Sequence, residues 1–187
     1  KLIYNGFVKE YTLYIPEKVE QINKKHKNKI ISLDPGIRTF LTGISENKIA
    51  KIGENCSEKI KSYLLRIDKI NNNINIPEHK KKECERKINK KINNYVEELH
   101  WKTIDYLTSN YKSIFIGNMS SKKILSNGNN NQLSPMIKRI CSKLKFYSFH
   151  EKLKYKCWSL NNNYKCVNES YTSIICSNCG NEKVDLG

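Results

Sequence analysis

The chain has 187 residues, 38% of them apolar, which suits one domain with a small appendage. Its net charge of +16, from 34 basic and 18 acidic residues, points to a polyanion partner, and nucleic acid is the usual one. No run is long and apolar enough for a membrane-spanning helix, no secretory pattern opens the chain, and the odd count of seven cysteines argues against a disulfide framework, so the sequence reads as intracellular.

The basic excess is nearly all lysine, with arginine only at Arg38, Arg66, Arg86 and Arg139. Lys, Asn and Ile have AT-rich codons, so base composition alone can produce this bias. The charge therefore supports nucleic-acid binding without establishing it. Neither terminus carries a basic amphipathic helix of the membrane-surface kind.

In chain order, Phe7 to Ile15 carries Val8, Tyr11, Leu13 and Ile15 and predicts a strand ended by Pro16. The basic loop Lys24-Lys25-His26-Lys27 leads into a buried strand, Lys29 to Leu33. A tight turn at Pro35-Gly36 opens a second strand, Thr39 to Ser45, and Glu46-Asn47 turns it into a third, Lys48 to Ile52. Ser57 is placed to cap a helix with Ile60, Tyr63, Leu64, Ile67 and Ile70 inward. The Asn-rich stretch to Pro77 breaks it. A longer helix follows, with Ile88, Ile92, Tyr95, Val96, Leu99, Thr103, Tyr106 and Leu107 on one face. Its other face is basic, through Lys80, Lys81, Lys82, Lys87, Lys90 and Lys91. These lysines are either a solvated surface or a nucleic-acid groove.

Ser113 to Gly117 predicts a fully buried strand, and Ser120 to Gln132 a polar loop. Ser134-Pro135 predicts the start of a helix with Ile137, Ile140, Cys141, Leu144 and Tyr147 inward. Tyr164 to Glu169 predicts one more short strand. Strand, hairpin, helices, buried strand, helix, strand is the order of an RNase H-like α/β domain. That predicts a mixed sheet with helices on both faces and a helical insertion over residues 57–110.

Two features carry chemistry. Asp34 ends an apolar strand immediately before Pro35-Gly36, so a carboxylate stands on a rigid strand end with little bulk beside it. That placement suits a metal-binding carboxylate, although Asp before Pro-Gly is also ordinary turn chemistry. Cys176-Ser177-Asn178-Cys179-Gly180 has the spacing of a zinc knuckle, which supplies two of the four ligands of a structural zinc. A second pair is expected downstream, and both ends of the chain look cut. Cys157 and Cys166 lack knuckle spacing, and Cys166 alternates with Val167 in what reads as a buried strand. Cys56, Cys84 and Cys141 read as small hydrophobes.

Asp34-Pro35-Gly36-Ile37-Arg38-Thr39-Phe40, the strand Ile114 to Asn118, and Tyr171-Thr172-Ser173 running into the Cys176–Cys179 knuckle together resemble the TnpB proteins. The resemblance extends to their eukaryotic and giant-virus relatives, the Fanzor proteins. It covers the chain from the Phe7 strand onward. These are transposon-encoded, RNA-guided DNA endonucleases with a RuvC nuclease domain and a zinc ribbon. The resemblance implies DNA and a guide RNA as partners, catalytic Mg²⁺ and structural Zn²⁺. It implies three units: residues 1–23 as the end of a β-rich wedge-like region, 24–170 as the RuvC domain, and 171–187 as the first half of the zinc ribbon. Cys176 and Cys179 become zinc ligands.

Asp34 matches the family's first catalytic carboxylate. The second is usually a Glu on the fourth strand, where this chain has Gly117. Glu169 stands where TnpB proteins usually have Pro, as in the Fanzor relatives, whose second carboxylate has moved to this strand. Alternation puts Val167 and Glu169 on one face, able to converge on the space left by Gly117. The third carboxylate, beyond the second knuckle in the family, has no match here. The chain by itself is therefore expected to cleave DNA poorly or not at all. Two other classes compete. A sugar kinase or actin-like ATPase needs a later Asp near a Gly-rich phosphate loop, which Ile114 to Ser121 lacks. An inactive transposon remnant would only bind nucleic acid.

Overall fold

A computed structural model describes residues 1–6, 9–22, 28–118, 133–168 and 179–181. Its main sheet is built from β3 (Asn28–Pro35), β4 (Thr39–Ser45), β5 (Lys48–Glu54), β6 (Tyr111–Gly117) and β7 (Asn163–Val167), in the spatial order β5-β4-β3-β6-β7. β3, β4 and β5 form an antiparallel meander, while β6 and β7 join parallel. This is the RNase H-like arrangement: a central first strand, its meander on one side, and two crossover strands on the other.

Preceding the sheet, β1 (Leu2–Asn5) and β2 (Glu10–Leu13) make a separate antiparallel pair in which Tyr4 stands opposite Tyr11. β2 answers the strand expected over residues 7–15, and β1 went unread. Every side chain of the pair is exposed.

Four helices complete the described fold: α1 (Cys56–Asn71), α2 (Glu78–Asn110), α3 (Pro135–Leu144) and α4 (Phe146–Ser159). α1 and α2 are the insertion between the sheet's third and fourth strands. Ser57 does not cap α1, contrary to the expectation from sequence. Asn55 holds the N-cap position in the left-handed region, with φ 58°, and Ser57 is buried inside the first turn. Asn tolerates that backbone better than most residues. Ser134 does cap α3, accepting a hydrogen bond from the Ile137 amide, with Pro135 in the first turn.

The single helix expected after Ser134 is in fact two. Lys145, at φ 50° and ψ 48°, bends the chain between α3 and α4 and swings Tyr147 out to 77% exposure. α4 then buries Phe146, Phe149, Leu153 and Cys157. That apolar spacing, repeating every three to four residues, was present in the sequence as a helical signal.

One core holds the domain together. Ile31 and Leu33 of β3 and Ile114 and Ile116 of β6 join Ile60 and Leu64 of α1, Ile92 and Ile104 of α2, Leu144 of α3, and Phe149 and Leu153 of α4. Each such side chain contributes about 1.5–3 kcal/mol on burial. β3, expected as a buried strand, buries Ile31 and Leu33 on one face only. Its alternate residues Ile30, Ser32 and Asp34 are exposed, as are Ile44 of β4 and Ile49 of β5. The mixed sheet and helical insertion stand as expected, but no described helix covers those five residues. β6, expected to be fully buried, buries Tyr111, Ile114, Ile116 and Gly117 and leaves Lys112, Ser113 and Phe115 half-buried.

Candidate active site

Asp34 is carried by the penultimate residue of β3, where the strand ends against its hairpin turn. The turn closes through Gly36 N–H donating to the Phe40 carbonyl at 3.1 Å. A Cβ at Gly36 would fall 2.7 Å from the Thr39 carbonyl oxygen, so only glycine fits this approach. Asp34 pairs with Thr42 on β4. On its other side, Leu33 pairs with Ile116, which sets Asp34 level with Gly117. Gly117 in turn pairs with Val167 on β7, and the Asn118 amide donates to the Val167 carbonyl at 2.9 Å.

The ladder thus brings Asp34, Gly117 and Val167 into one row at the carboxyl ends of three adjacent strands. Paired residues share a face, so the Asp34 carboxylate and the Val167 side chain emerge together. Gly117 leaves the position between them without a side chain. Asp34 is exposed, and among the described residues no lysine or arginine pairs with it. An accessible, unneutralised carboxylate is a hard oxygen donor of the kind Mg²⁺ takes.

Glu169, two positions beyond Val167, lies outside the described residues, as does Cys176. Cys179 is exposed with a free thiol. Among the described residues no group of three or more His, Cys, Asp or Glu side chains assembles to hold a metal. Cys157 is fully buried in the core, and burial pushes its thiol up to about 12. Cys166, by contrast, is exposed on β7. Among the described residues, the strand expected to bury it lies at the sheet edge and pairs with β6.

The basic face of α2 is less uniform than its sequence suggests. Lys81 bonds Glu78 at 2.9 Å, Lys87 bonds Glu83 at 2.7 Å, and Lys90 pairs with Glu10 of β2. Lys80, Lys87 and Lys91 follow one stripe of the helix, whereas Lys81 and Lys82 lie around its circumference. The tertiary fold adds Arg66 from α1, which lines a groove of about 450 Å³ with Lys87, Lys90 and Lys91. Arg66 was missed because its proximity comes from the antiparallel α1–α2 pairing, which sequence spacing does not reveal.

Residues 146–186 match the family model described as Cas12f1-like, TNB domain. The whole chain aligns with TnpB-like protein L79 of Acanthamoeba polyphaga mimivirus at 32% identity. The chain belongs to the TnpB family. It spans 37% of the length of that relative. A second mimivirus protein, the putative transposase R186, is 32% identical over 79% of the chain and 32% of its own length. A solved Cas12f1–sgRNA–target DNA complex aligns at 20% identity and TM-score 0.42, over 88% of this chain and 34% of that one.

Proposed function

We propose that this TnpB-family chain is the nuclease-core portion of an RNA-guided, metal-dependent DNA endonuclease. The observation that carries this reading is the row of Asp34, Gly117 and Val167 at the carboxyl ends of three adjacent strands. Asp34 is the first metal-holding carboxylate. Glu169, two residues beyond Val167 in sequence, is the second, and Gly117 in the row leaves room for an ion. When bound there, Mg²⁺ supplies charge stabilisation to a phosphodiester being hydrolysed. Asp34 holds the ion from a strand end whose turn cannot shift without disturbing the hairpin.

Cys176 and Cys179 contribute two thiolates to a structural zinc, and the other ligands come from outside this pair. Cys157 is not among them in this reading, because its side chain is fully buried in the core. DNA and a guide RNA are the partners this reading requires. The basic groove of Arg66, Lys87, Lys90 and Lys91 is the candidate contact for their backbones.

The test is Mg²⁺ titration of the full chain followed by amide NMR. Resonances of Asp34, Thr42 and Gly117 should shift, and Asp34→Asn should remove the shifts while leaving the spectrum otherwise folded. Identical titrations in wild type and variant would remove Asp34 from the site.

A further inference from the structure

Beside the Asp34 row lies a cleft of about 810 Å³, enclosed by the β3–β4 turn and the first turns of α1 and α3. Thr42, the ladder partner of Asp34, is one of its walls, so the cleft opens one strand away from that carboxylate. Its volume is in the range that accommodates a drug-sized ligand, about 300–1,000 Å³. That is room for one or two nucleotides and too little for a duplex.

The cleft has two chemical sides. Ile37, Met136 and Ile137 give it an apolar wall, while Arg38 and Lys61 give it positive charge. Glu58 also lines it, 4.0 Å from Lys61, and offsets one positive charge in the sum. Arg38 is exposed, and none of the ion pairs among the described residues includes it. Among the described lining residues its guanidinium is the cation outside any ion pair, with a planar fork suited to two oxygens of one phosphate. An apolar wall for a base or sugar beside a cation for the backbone is the combination that holds a single strand.

We propose that this cleft seats the DNA strand presented to Asp34, with Arg38 gripping a backbone phosphate beside the one to be cut. The proposal rests on the nuclease reading of Asp34 for its purpose, but not for its test. Arg38 is a binding and positioning residue in this scheme. The apolar wall of α3 fixes the strand's lateral position.

The experiment is fluorescence anisotropy with the full chain and a short labelled single-stranded DNA, in EDTA so that no metal site contributes. RNA of the same sequence runs alongside. Arg38→Ala should weaken DNA binding about tenfold and lower the salt slope by about one. Arg38→Lys should fall between, because the charge remains and the fork is lost. Lys154→Ala, an exposed site on α4 outside the cleft, should stay within about twofold. Equal losses for Arg38→Ala and Lys154→Ala would overturn the proposal in favour of a diffuse field. A loss confined to RNA would overturn the assignment to DNA. An Arg38-dependent DNA signal with no Asp34-dependent Mg²⁺ shift would keep the strand site and remove the nuclease reading.

Discussion

Arg139 of α3 grips both carboxylate oxygens of Asp68 on α1, at 2.8 and 2.9 Å, across 71 residues of sequence. That fork ties the segment before β7 to the insertion helix. Hydrogen bonding from Arg139 holds the Asp68 carboxyl below the usual carboxylate range, opposed by desolvation and assisted by the arginine's charge. A depressed carboxylate adds stability above its unfolded value, near 4, and loses it as pH falls through the lower folded value. Both side chains are more than a third exposed, so solvent limits the pair to about 0.5–1 kcal/mol. Urea unfolding of Arg139→Ala near neutral pH should show that deficit, and the deficit should fade as pH falls below the usual carboxylate range. A deficit independent of pH would assign the effect to packing of the arginine stem.

His100 gives a larger pH dependence. Its ring is fully buried and stacks on Phe40, with centroids 5.3 Å apart. Nε2 lies 2.9 Å from the Leu144 carbonyl oxygen, which can only accept, so Nε2 carries the proton. Nδ1 is buried with no hydrogen-bond partner among the described residues. Burial pushes the pKa down to about 4, against a partly compensating bond to Leu144. The unfolded chain therefore binds a proton between about pH 6.5 and 4 that the folded chain refuses, so stability falls as pH drops through that window. The loss at pH 5 is about 2 kcal/mol relative to pH 7.5. His100→Phe should flatten this slope in paired urea titrations. An unchanged slope would mean another group titrates.

The cysteines divide by environment. Brief alkylation of the native chain at pH 8, read by peptide mass spectrometry, should label exposed Cys166 and Cys179 and spare buried Cys141 and Cys157. Added zinc should protect Cys179 and leave Cys166 reactive. Cys157 labelled as fast as Cys166 would contradict the packing of α4, and zinc protection of Cys166 would restore a site that includes β7.

On α2, the lysines already paired with carboxylates should matter least to nucleic acid. Arg66→Ala with Lys91→Ala removes two groove cations and should weaken single-strand binding about tenfold at low salt. Lys81→Ala, whose ammonium bonds Glu78 with its side chain only 13% exposed, should stay within about twofold. Salt-dependent binding measured on the three proteins decides it. Equal losses would make the charge a general field and the groove incidental.

Local signals were largely readable from sequence. β4 was placed at Thr39–Ser45, because its flanking turns punctuate the chain on both sides. The inward residues of α1 and α2 followed the helical period. The departures had local backbone causes: Lys145 in the left-handed region splits the expected helix, and Asn55 takes the cap assigned to Ser57. β1 and α4 went unread, although the apolar spacing of α4 was visible.

The sequence by itself determined the chemical types: a carboxylate before Pro-Gly, a cysteine knuckle, a lysine-rich chain, and a strand order that admits few topologies. Those depend on residue identity and short-range periodicity, which are local. Only the tertiary structure decided that Asp34, Gly117 and Val167 share a row, that Glu10, Glu78 and Glu83 neutralise half of the chosen lysines, and that Arg38 stands beside the Asp34 strand in a cleft. Strand register and helix pairing fix these relationships between residues far apart in sequence. They follow from burying one shared core, to which every strand of the main sheet and every described helix contributes.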